Sequence, residues 1–344
     1  MGHPYAIREI ALQAGLSEAT VDRVLNHRGG VRPGTAREVE RAVADLDRQQ
    51  TQVRLTGRTF MVDIVMQAPE RFSSQVRAAL EDEIPTLRPA VVRCRFHFTE
   101  SGPAEDLVAT LDRVAARGSK GVILKAPDVP DVRVAVQRLV HAGVPVVTLV
   151  TDLPTTPRSG YVGIDNRAAG ATAAYLVQQW LAGRPGNVLV TLSSESFRGE
   201  EEREIGFRSA MRAAPTERAL VDITETDGLD ATMRELVRAA LVRDPEIRAV
   251  YSIGGGNVAT VETFDQLGRE CVVFVAHDLD DDNTRLLRTG RLSAVLHHDL
   301  HQDVRRACQV IMQAHRALPL TGPPAPSSIQ VVTPHNLPAS RFSR

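Results

Sequence analysis

The chain has 344 residues, a formal net charge of −1 at pH 7, and 43% hydrophobic and 24% charged residues. These values are typical of a globular protein of two or three domains, and they exclude a polycation that coats nucleic acid non-specifically. The sequence shows no 18-residue apolar run, no N-terminal signal pattern, and three distant cysteines without metal-ligand spacing. We therefore expect a cytoplasmic protein with reduced thiols, no bound metal and no membrane segment.

Residues 6–48 have the apolar spacing of three short helices. Ser17 is a suitable N-cap for the second helix, because its hydroxyl can accept from free amides of the first turn. Pro33 is a suitable first residue for the third helix, and Gly15 lies at the tight turn between the first two. This pattern predicts a helix-turn-helix domain, a unit that also occurs in proteins that do not bind DNA. The polar residues 49–59 are predicted to form a linker.

The second predicted helix carries small polar residues on its outward side. The hydroxyls of Ser17 and Thr20 suit DNA phosphates, and the guanidinium of Arg23 matches O6 and N7 of guanine. The alternative is a solvated face on which Asp22 and its neighbours form local ion pairs. Residues 1–58 hold nine arginines and seven acids, which is only a mild basic excess. The candidate DNA contacts are Ser17, Glu18, Ala19, Thr20, Arg23, Asn26, Arg28, Arg32, Arg37 and Arg54.

From residue 60 onwards, short β-branched runs alternate with helical spacing, which predicts parallel sheets with helices on both faces. Ten such runs exceed one sheet, so we expect an α/β body of two lobes with a ligand cleft at the carboxyl ends of the strands. The first lobe is predicted over 60–160 and 299–325, and the second over 161–298 and 326–344. The runs are 60–66, 91–98, 121–126, 144–150, 187–192, 219–224, 249–253, 271–276, 292–297 and 328–333.

The segment AIREIALQAGLSEATVDRVLNHRGGVRPGTAREVERAVADL (6–46) resembles the N-terminal domain of LacI-type (lac repressor family) transcription regulators. The likeness lies in the order of AGLS, ATV and RVLN, followed by Val31 and Thr35 before the third helix. It extends over essentially the whole chain, because the two-lobed pattern resembles the periplasmic sugar-binding fold that forms the sensor of these regulators. The resemblance implies a homodimer that binds operator DNA and a small effector. In that family Glu18 lies at a position that varies with the operator.

The chain departs from the family's pattern at two places. The family usually has a phosphate-contacting serine where this chain has Asp22, and the acid is expected either to orient Arg23 or Arg28 or to lower DNA affinity. The linker lacks the family's Tyr-x-Pro-Asn segment and is shorter. Leu55, with Arg54 beside it, is the one candidate for the hinge side chain that would wedge into the minor groove.

The same resemblance indicates effector contacts that follow strands of the body, namely Phe72, Asp152, Arg203, Asn257, Asp278 and His298. Such aromatic, carboxylate, amide and guanidinium groups suit a polyol. Other interpretations remain open: Asp152 and Asp278 as helix caps or turn residues, Phe72 as core, and His298 as a structural partner of His297 or Asp299. The acids in 278–285 lack EF-hand spacing and are predicted to begin a helix.

We therefore expect a repressor whose operator affinity is controlled by a sugar or polyol, without a cofactor. The sequence contains no GxGxxG, GxxxxGK[ST] or GxSxG motif, which argues against an enzyme of those classes. Two alternatives stay open. One is a small-molecule binding protein without a role in gene regulation, and the other is a regulator that uses a non-sugar effector as co-repressor.

Overall fold

The computed structural model describes residues 3–214, 217–224, 226 and 229–338. Its N-terminal domain consists of helices α1 (Ile7–Ala14), α2 (Glu18–Leu25) and α3 (Pro33–Leu55). Gly15 has a φ of 65° and ends α1, a left-handed conformation that glycine adopts without a steric penalty. The domain has a small apolar core of its own, formed by Tyr5, Ile10, Ala11, Val21, Val39 and Ala42.

The third helix continues through most of the predicted linker and ends at Leu55. No proline or glycine interrupts the chain between Gly34 and Gly57, so nothing stops the helix earlier. Leu55 is 7% exposed and packs into the core of the first lobe, in the same cluster as Phe60. A side chain held in that core is not available to a DNA groove, so the minor-groove wedge predicted for Leu55 is not supported. Arg54 remains exposed.

The body contains two separate sheets, which confirms the predicted α/β class. The first has the order β2-β1-β3-β4-β5 and is entirely parallel. The second has the order β11-β10-β9-β8-β6-β7 and is parallel except for β11. The strands are β1 (Thr59–Gln67), β2 (Val91–Thr99), β3 (Gly121–Lys125), β4 (Val146–Leu149), β5 (Gly160–Val162), β6 (Asn187–Thr191), β7 (Leu220–Ile223), β8 (Ile247–Ser252), β9 (Val273–His277), β10 (Ala294–His297) and β11 (Gln330–Val332).

Helices cover both faces of each sheet, as expected for parallel strands that are joined by crossover connections. None of the helices in the described ranges is both long enough and apolar enough to cross a membrane. The helices of the body, besides a 3-10 turn at Ile84–Leu87, are α4 (Glu70–Glu83), α5 (Ala104–Arg117), α6 (Pro130–His141), α7 (Asn166–Trp180), α8 (Arg198–Ala213), α9 (Asp230–Arg243), α10 (Asn257–Gln266), α11 (Asp281–Arg288) and α12 (Leu300–Ala314).

The chain crosses between the two lobes three times. The first crossing joins β5 to α7, the second joins β10 to α12, and the third joins α12 to β11. Helix α12 belongs to the first lobe, because Leu300, Val304 and Ala307 pack into the same core as Ile64 of β1. Strand β5, which the sequence pattern did not predict, is only three residues long and lies at the edge of the first sheet.

A buried carboxylate in the first sheet provides a test of what holds this lobe together. Asp63 is fully buried and accepts hydrogen bonds from Arg95 (2.6 and 3.0 Å), Arg117 (2.6 Å) and His97 (2.9 Å). Burial by itself raises the pKa of Asp63, but hydrogen bonds from Arg95, Ser119, His97 and Arg117 outweigh it and hold the pKa below its ordinary value of 3.8. The ionised form is therefore the one that the fold stabilises.

We expect Asp63→Asn to lower the free energy of unfolding by about 3 kcal/mol, because it leaves two arginines around a neutral group. Urea unfolding followed by circular dichroism measures this loss. The matched control is Asp112→Asn, which removes an exposed ion pair with Arg138 and should cost less than about 1 kcal/mol. The pKa of Asp63 in the folded protein lies below its ordinary value of 3.8. The stabilisation by the ionised carboxylate is therefore fully present above about pH 4, and it is lost as the pH falls below 3.8 and through the folded-state pKa. Equal losses in the two variants would contradict this role.

Candidate DNA-binding surface and ligand cleft

Helix α2 presents the predicted DNA-reading residues on its solvent side. Ser17 caps the helix by accepting from the amide of Thr20 (3.2 Å), and the two hydroxyls lie 2.8 Å apart. Glu18, Ala19 and Arg23 are exposed, whereas Val21 is fully buried against the rest of the domain. The buried residue fixes which side of α2 faces outward, so Glu18, Ala19 and Arg23 lie together on the solvent side of the domain.

Asp22 has a structural partner that the sequence left undecided. Its carboxylate accepts from Nδ2 of Asn26 (2.7 Å) and from Nη1 of Arg28 (2.8 Å). The acid therefore orients Arg28 rather than Arg23, and it joins the end of α2 to the loop that follows. The remaining predicted phosphate contacts, Arg32, Arg37 and Arg54, are all exposed.

A cleft of about 800 Å³, its open mouth included, lies between the lobes. It is formed at the carboxyl ends of β1, β3 and β4 in the first lobe and of β6, β8 and β9 in the second. This is the expected place for a ligand in an α/β protein with parallel strands. Its charged or polar lining residues include Gln67, Arg71, Glu100, Lys125, Thr151, Ser193, Glu200, Arg203, Asn257, His277, Asp278, Asp280 and Asn283.

Direct contacts between the lobes hold the cleft closed. The amide of Gly199 donates to Thr151 Oγ1 (2.9 Å), and Gln75 Nε2 donates to the carbonyl of Leu279 (3.0 Å). Beside the Gln75 contact, Arg71 lies 3.4 Å from Asp280, and elsewhere between the lobes the amide of Asp128 donates to the carbonyl of Ser196 (2.7 Å). A polar group that is buried inside the cleft loses hydrogen bonds to water, so it costs free energy unless a protein or ligand atom forms a hydrogen bond with it.

Four of the six predicted effector contacts line this cleft: Phe72, Arg203, Asn257 and Asp278. Arg203 is 3% exposed, and its Nε donates to Asn166 Oδ1 (2.8 Å), while its Nη2 has no partner among the described residues. Asn257 donates to Asn283 Oδ1 (2.7 Å) but leaves its own Oδ1 unpaired in the described structure. Buried polar groups are nearly always hydrogen-bonded, so these atoms indicate places for ligand groups.

The other two predicted contacts do not line the cleft. Asp152 is used by its own loop, where its carboxylate accepts from Arg158, from Thr148 Oγ1 (2.7 Å) and from the amide of Leu153 (2.8 Å). Asp152 therefore acts as a turn residue, which was the alternative interpretation of its sequence position. The ligand contact predicted for Asp152 is not supported. His298 has a tilted ring contact with His297 at 6.0 Å, but its hydrogen-bond partner is Asp303 and neither His297 nor Asp299.

The three crossings meet at one carboxylate. Asp303, fully buried at the start of α12, lies 2.5 Å from His298 Nδ1 and accepts from the hydroxyl of Ser327. The amide of Ser327 in turn donates to the carbonyl of Gly163 (2.8 Å), which belongs to the first crossing. His298 Nε2 is 3.8 Å from a carboxylate oxygen of Asp278. His298 therefore lies between the ligand cleft and the hinge, whereas Asp299 caps α12 through the amide of Gln302.

Sequence reasoning missed several cleft residues, among them Lys125, Phe197, Glu200 and His277. Lys125 and His277 are each the last residue of a strand, β3 and β9. A polar residue at the end of an apolar run was the feature of the sequence that could have identified them. His277 lies 2.8 Å from the hydroxyl of Tyr251, and its Nδ1 has no described partner. Burial, together with the charges of Arg203 and His298, lowers the pKa of His277 well below 6.5, so the ring is neutral at pH 7.

The acidic segment 278–285 begins helix α11, as predicted. Asp280 is the N-cap and accepts from the amide of Asn283 (2.7 Å). Burial raises the pKa of Asp280 to about 6, although the hydrogen bond from Asn283 and the nearby Arg71 lower it. Within the described residues there is no cluster of three or more histidine, cysteine or acidic side chains that could hold a metal ion.

Comparison with known families shows two matches in this chain. Residues 64–317 match the family model of the periplasmic binding protein domain, and residues 6–47 match that of bacterial regulatory proteins of the lacI family. Among curated proteins, the periplasmic protein TorT of Escherichia coli (strain K12) is 28% identical over 144 residues. That alignment covers 41% of this chain and 40% of TorT, so the chain matches less than half of its curated relative.

Solved structures share the fold of the body. GanP, a glucose-galactose binding protein from Geobacillus stearothermophilus, has a TM-score of 0.72 at 19% identity, covering 82% of this chain and 99% of GanP. A putative LacI transcriptional regulator from Bacteroides fragilis has a TM-score of 0.71 at 16% identity, with coverage of 81% and 98%. The chain belongs to the periplasmic binding protein domain family and carries a lacI-family DNA-binding domain before it, the domain arrangement of a LacI-type transcriptional regulator.

Proposed function

We propose that the protein is a cytoplasmic, homodimeric repressor whose affinity for operator DNA is controlled by a small polar ligand in the interlobe cleft. The observation that carries this proposal is a closed cleft with unpartnered buried polar atoms, joined to a helix-turn-helix domain. The cleft would bind its ligand without chemical change. The exposed side of α2 would bind in the major groove, and two copies would read half-sites about one helical turn apart.

In the DNA complex, each exposed group on α2 has a distinct role. Ser17 and Thr20 bind backbone phosphates through their hydroxyls, which positions the helix without reading sequence. Arg23 reads a guanine through two parallel hydrogen bonds, and Glu18 accepts from the amino group of a cytosine. Asp22 keeps Arg28 in place at the end of α2, where the guanidinium faces the phosphate backbone.

The ligand is proposed to be a sugar, a polyol or a close derivative. Arg203 Nη2 offers a donor, Asn257 Oδ1 and the Asp278 carboxylate offer acceptors, and the rings of Phe72 and Phe197 offer apolar surfaces. Hydroxyl groups both donate and accept, so a polyol satisfies such a mixed set. The names of similar structures point the same way, since they include a glucose-galactose binding protein and a solute-binding protein in complex with D-arabinose.

The structure suggests how ligand binding reaches the DNA-binding domain. Leu55 anchors the end of α3 in the core of the first lobe, so movement of that lobe moves the helix. The hydrogen bonds of Asp303 connect the three crossings around which the lobes turn. A ligand that binds the open and closed forms with different affinity shifts their populations and thereby the spacing of the two DNA-binding domains.

Arg23→Ala should weaken binding to the preferred operator by about 1–3 kcal/mol, because it removes a bidentate contact with guanine. The operator is first selected from random DNA with the full chain, and affinities are then measured by fluorescence anisotropy. DNA selected with the Arg23→Ala variant should show no base preference at one position of each half-site. Arg41→Ala, which removes an exposed arginine of α3, serves as control. Unchanged affinity and preference in Arg23→Ala would exclude this residue as the reader.

Arg203→Ala should weaken ligand binding about tenfold or more, because a charged donor in a closed cleft is lost. The probes are D-glucose, D-galactose, D-arabinose, myo-inositol and the corresponding sugar acids, tested by thermal shift and then by operator release. Operator binding without ligand should persist. Arg212→Ala, an exposed arginine on the same helix, is the matched control. A variant that responds like the wild type would refute the assignment of Arg203.

Ser327→Ala tests the hinge, because it removes one hydrogen bond to Asp303 and should cost about 1 kcal/mol of stability. We expect a smaller ratio between operator affinities with and without ligand, while ligand affinity itself changes little. Ser293→Ala is the control, since Ser293 accepts from the amide of Phe274 within the second lobe (3.0 Å) and not at a crossing. If both variants reduce the ratio equally, the hinge has no special part in coupling.

A further inference from the structure

Lys125 is half-buried and brings a positive charge into the ligand cleft. It ends β3, and its Nζ donates to the backbone carbonyl of Gln67 (3.1 Å). The ammonium lies 4.2 Å from the ring centre of Phe197 and 5.9 Å from that of Phe72. No ion pair of Lys125 occurs with any carboxylate in the described part of the chain.

Arg203 is a second cation of the cleft that forms no ion pair in the described structure, and it is more deeply buried than Lys125. Its guanidinium is almost completely buried, its one hydrogen-bond partner is the neutral amide of Asn166, and its Nη2 is unpaired in the described structure. Buried charges in proteins are normally paired, because an isolated charge loses its hydration without compensation. The unpaired Nη2 of Arg203 and the half-buried ammonium of Lys125 are therefore two cationic donors that an anionic ligand group in the cleft could use.

Most carboxylates of the cleft are already engaged by other groups. Glu200 accepts from the amide and hydroxyl of Ser193 (2.7 and 2.5 Å), and Glu100 accepts from the amide of Glu70 (2.8 Å). Asp280 caps α11 and faces Arg71. Asp278 is the exception, since its carboxylate accepts no hydrogen bond from the described residues and its one ion-pair contact among them is with His298 Nε2 at 3.8 Å.

We infer that the ligand is a polyhydroxylated monocarboxylate, a sugar acid, whose carboxylate binds between Lys125 and Arg203. Its hydroxyls donate to Asp278 and to Asn257 Oδ1, and its carbon faces pack on Phe72 and Phe197. A dianionic phosphate is less suited to the same cleft, because Asp278 repels a second negative charge. This inference rests on the proposed function and specifies the ligand class for its sensor site.

The titration of Lys125 is consistent with an unmet charge. Burial lowers the pKa of Lys125 from 10.5 to about 8, with a further lowering by the charge of Arg203, although Glu200 and Asp278 act in the opposite direction. An anion bound at Nζ would raise the pKa again, so binding at pH 8 should take up protons. The partial loss of hydration that lowers this pKa also lowers the stability of the ligand-free protein while the lysine is charged.

The first test needs no ligand. Lys125→Met should raise the Tm of the ligand-free protein at pH 7 by about 2–4 °C, because an apolar side chain replaces a half-buried, partly desolvated charge that forms no ion pair in the described structure. The gain should shrink as the pH rises above 8, where the folded protein already releases the proton. Lys120→Met is the matched control, because Lys120 is exposed and is the one other lysine of the chain. An unchanged or lowered Tm for Lys125→Met at pH 7 would overturn the inference.

The second test compares acids with their neutral counterparts at equal ionic strength. D-gluconate, D-galactonate, D-glucuronate and D-galacturonate are set against D-glucose, D-galactose and D-glucose 6-phosphate, by thermal shift and then by titration calorimetry at pH 8. We expect at least tenfold tighter binding of one acid than of its neutral counterpart. Proton uptake, measured in buffers of different ionisation enthalpy, should disappear in Lys125→Met.

The outcomes separate this inference from the proposed function. Binding of a neutral sugar as tight as that of its acid, or tighter binding of the phosphate, overturns the carboxylate assignment and leaves the sensor role standing. Absence of binding by every acid also overturns the assignment. If, in addition, no probe binds and no probe changes operator affinity, the ligand-controlled regulator is refuted as well.

Discussion

The body depends on one buried carboxylate, that of Asp303. The two lobes are joined by three chain segments, so rotation of one lobe against the other bends all three. A group that is bonded to all three segments can therefore act as their common pivot. Asp303 provides it by binding His298 from the second crossing and Ser327 from the third, and the backbone of Ser327 extends the connection to the first. Because the carboxylate is fully buried, losing either partner leaves an uncompensated polar group, so the three crossings are energetically coupled.

This pivot also explains why the cleft and the hinge cannot be treated as independent. His298 uses one ring nitrogen for Asp303 and directs the other towards Asp278, 3.8 Å away, whose backbone has a φ of 63°. A ligand hydroxyl bound by Asp278 therefore changes the environment of a side chain that belongs to the crossings. In the proposed regulator, the imidazole of His298 would connect the ligand to the crossings through this one contact, without a path across either core.

The sequence predicted the architecture well because its signals were local. Apolar periodicity indicated the helices of the first domain, and β-branched runs indicated nearly every strand of the two sheets. The three-residue β5 was missed because so short a segment has no periodicity. The full length of α3 was missed because a polar composition was interpreted as a linker, although the segment contains no helix breaker and packs at its end through Leu55.

The site was predicted less completely, because its members are set by tertiary contacts. Phe72, Arg203, Asn257 and Asp278 lie in the cleft, but Asp152 looked equivalent in sequence to Asp278. Both are aspartates that follow a buried strand, and only the partners distinguish them. Asp152 is neutralised by Arg158 six residues later, which a local pattern does not reveal.

The same reasoning about partners separates structural charges from functional ones. Asp22 holds Arg28, and Asp63 holds Arg95 and Arg117, so these arginines are compensated within the protein. Lys125 and Arg203 instead line the ligand cleft and form no ion pair within the described part of the chain. The unmet charge in the cleft is therefore better explained by the chemistry of its ligand than by the requirements of folding.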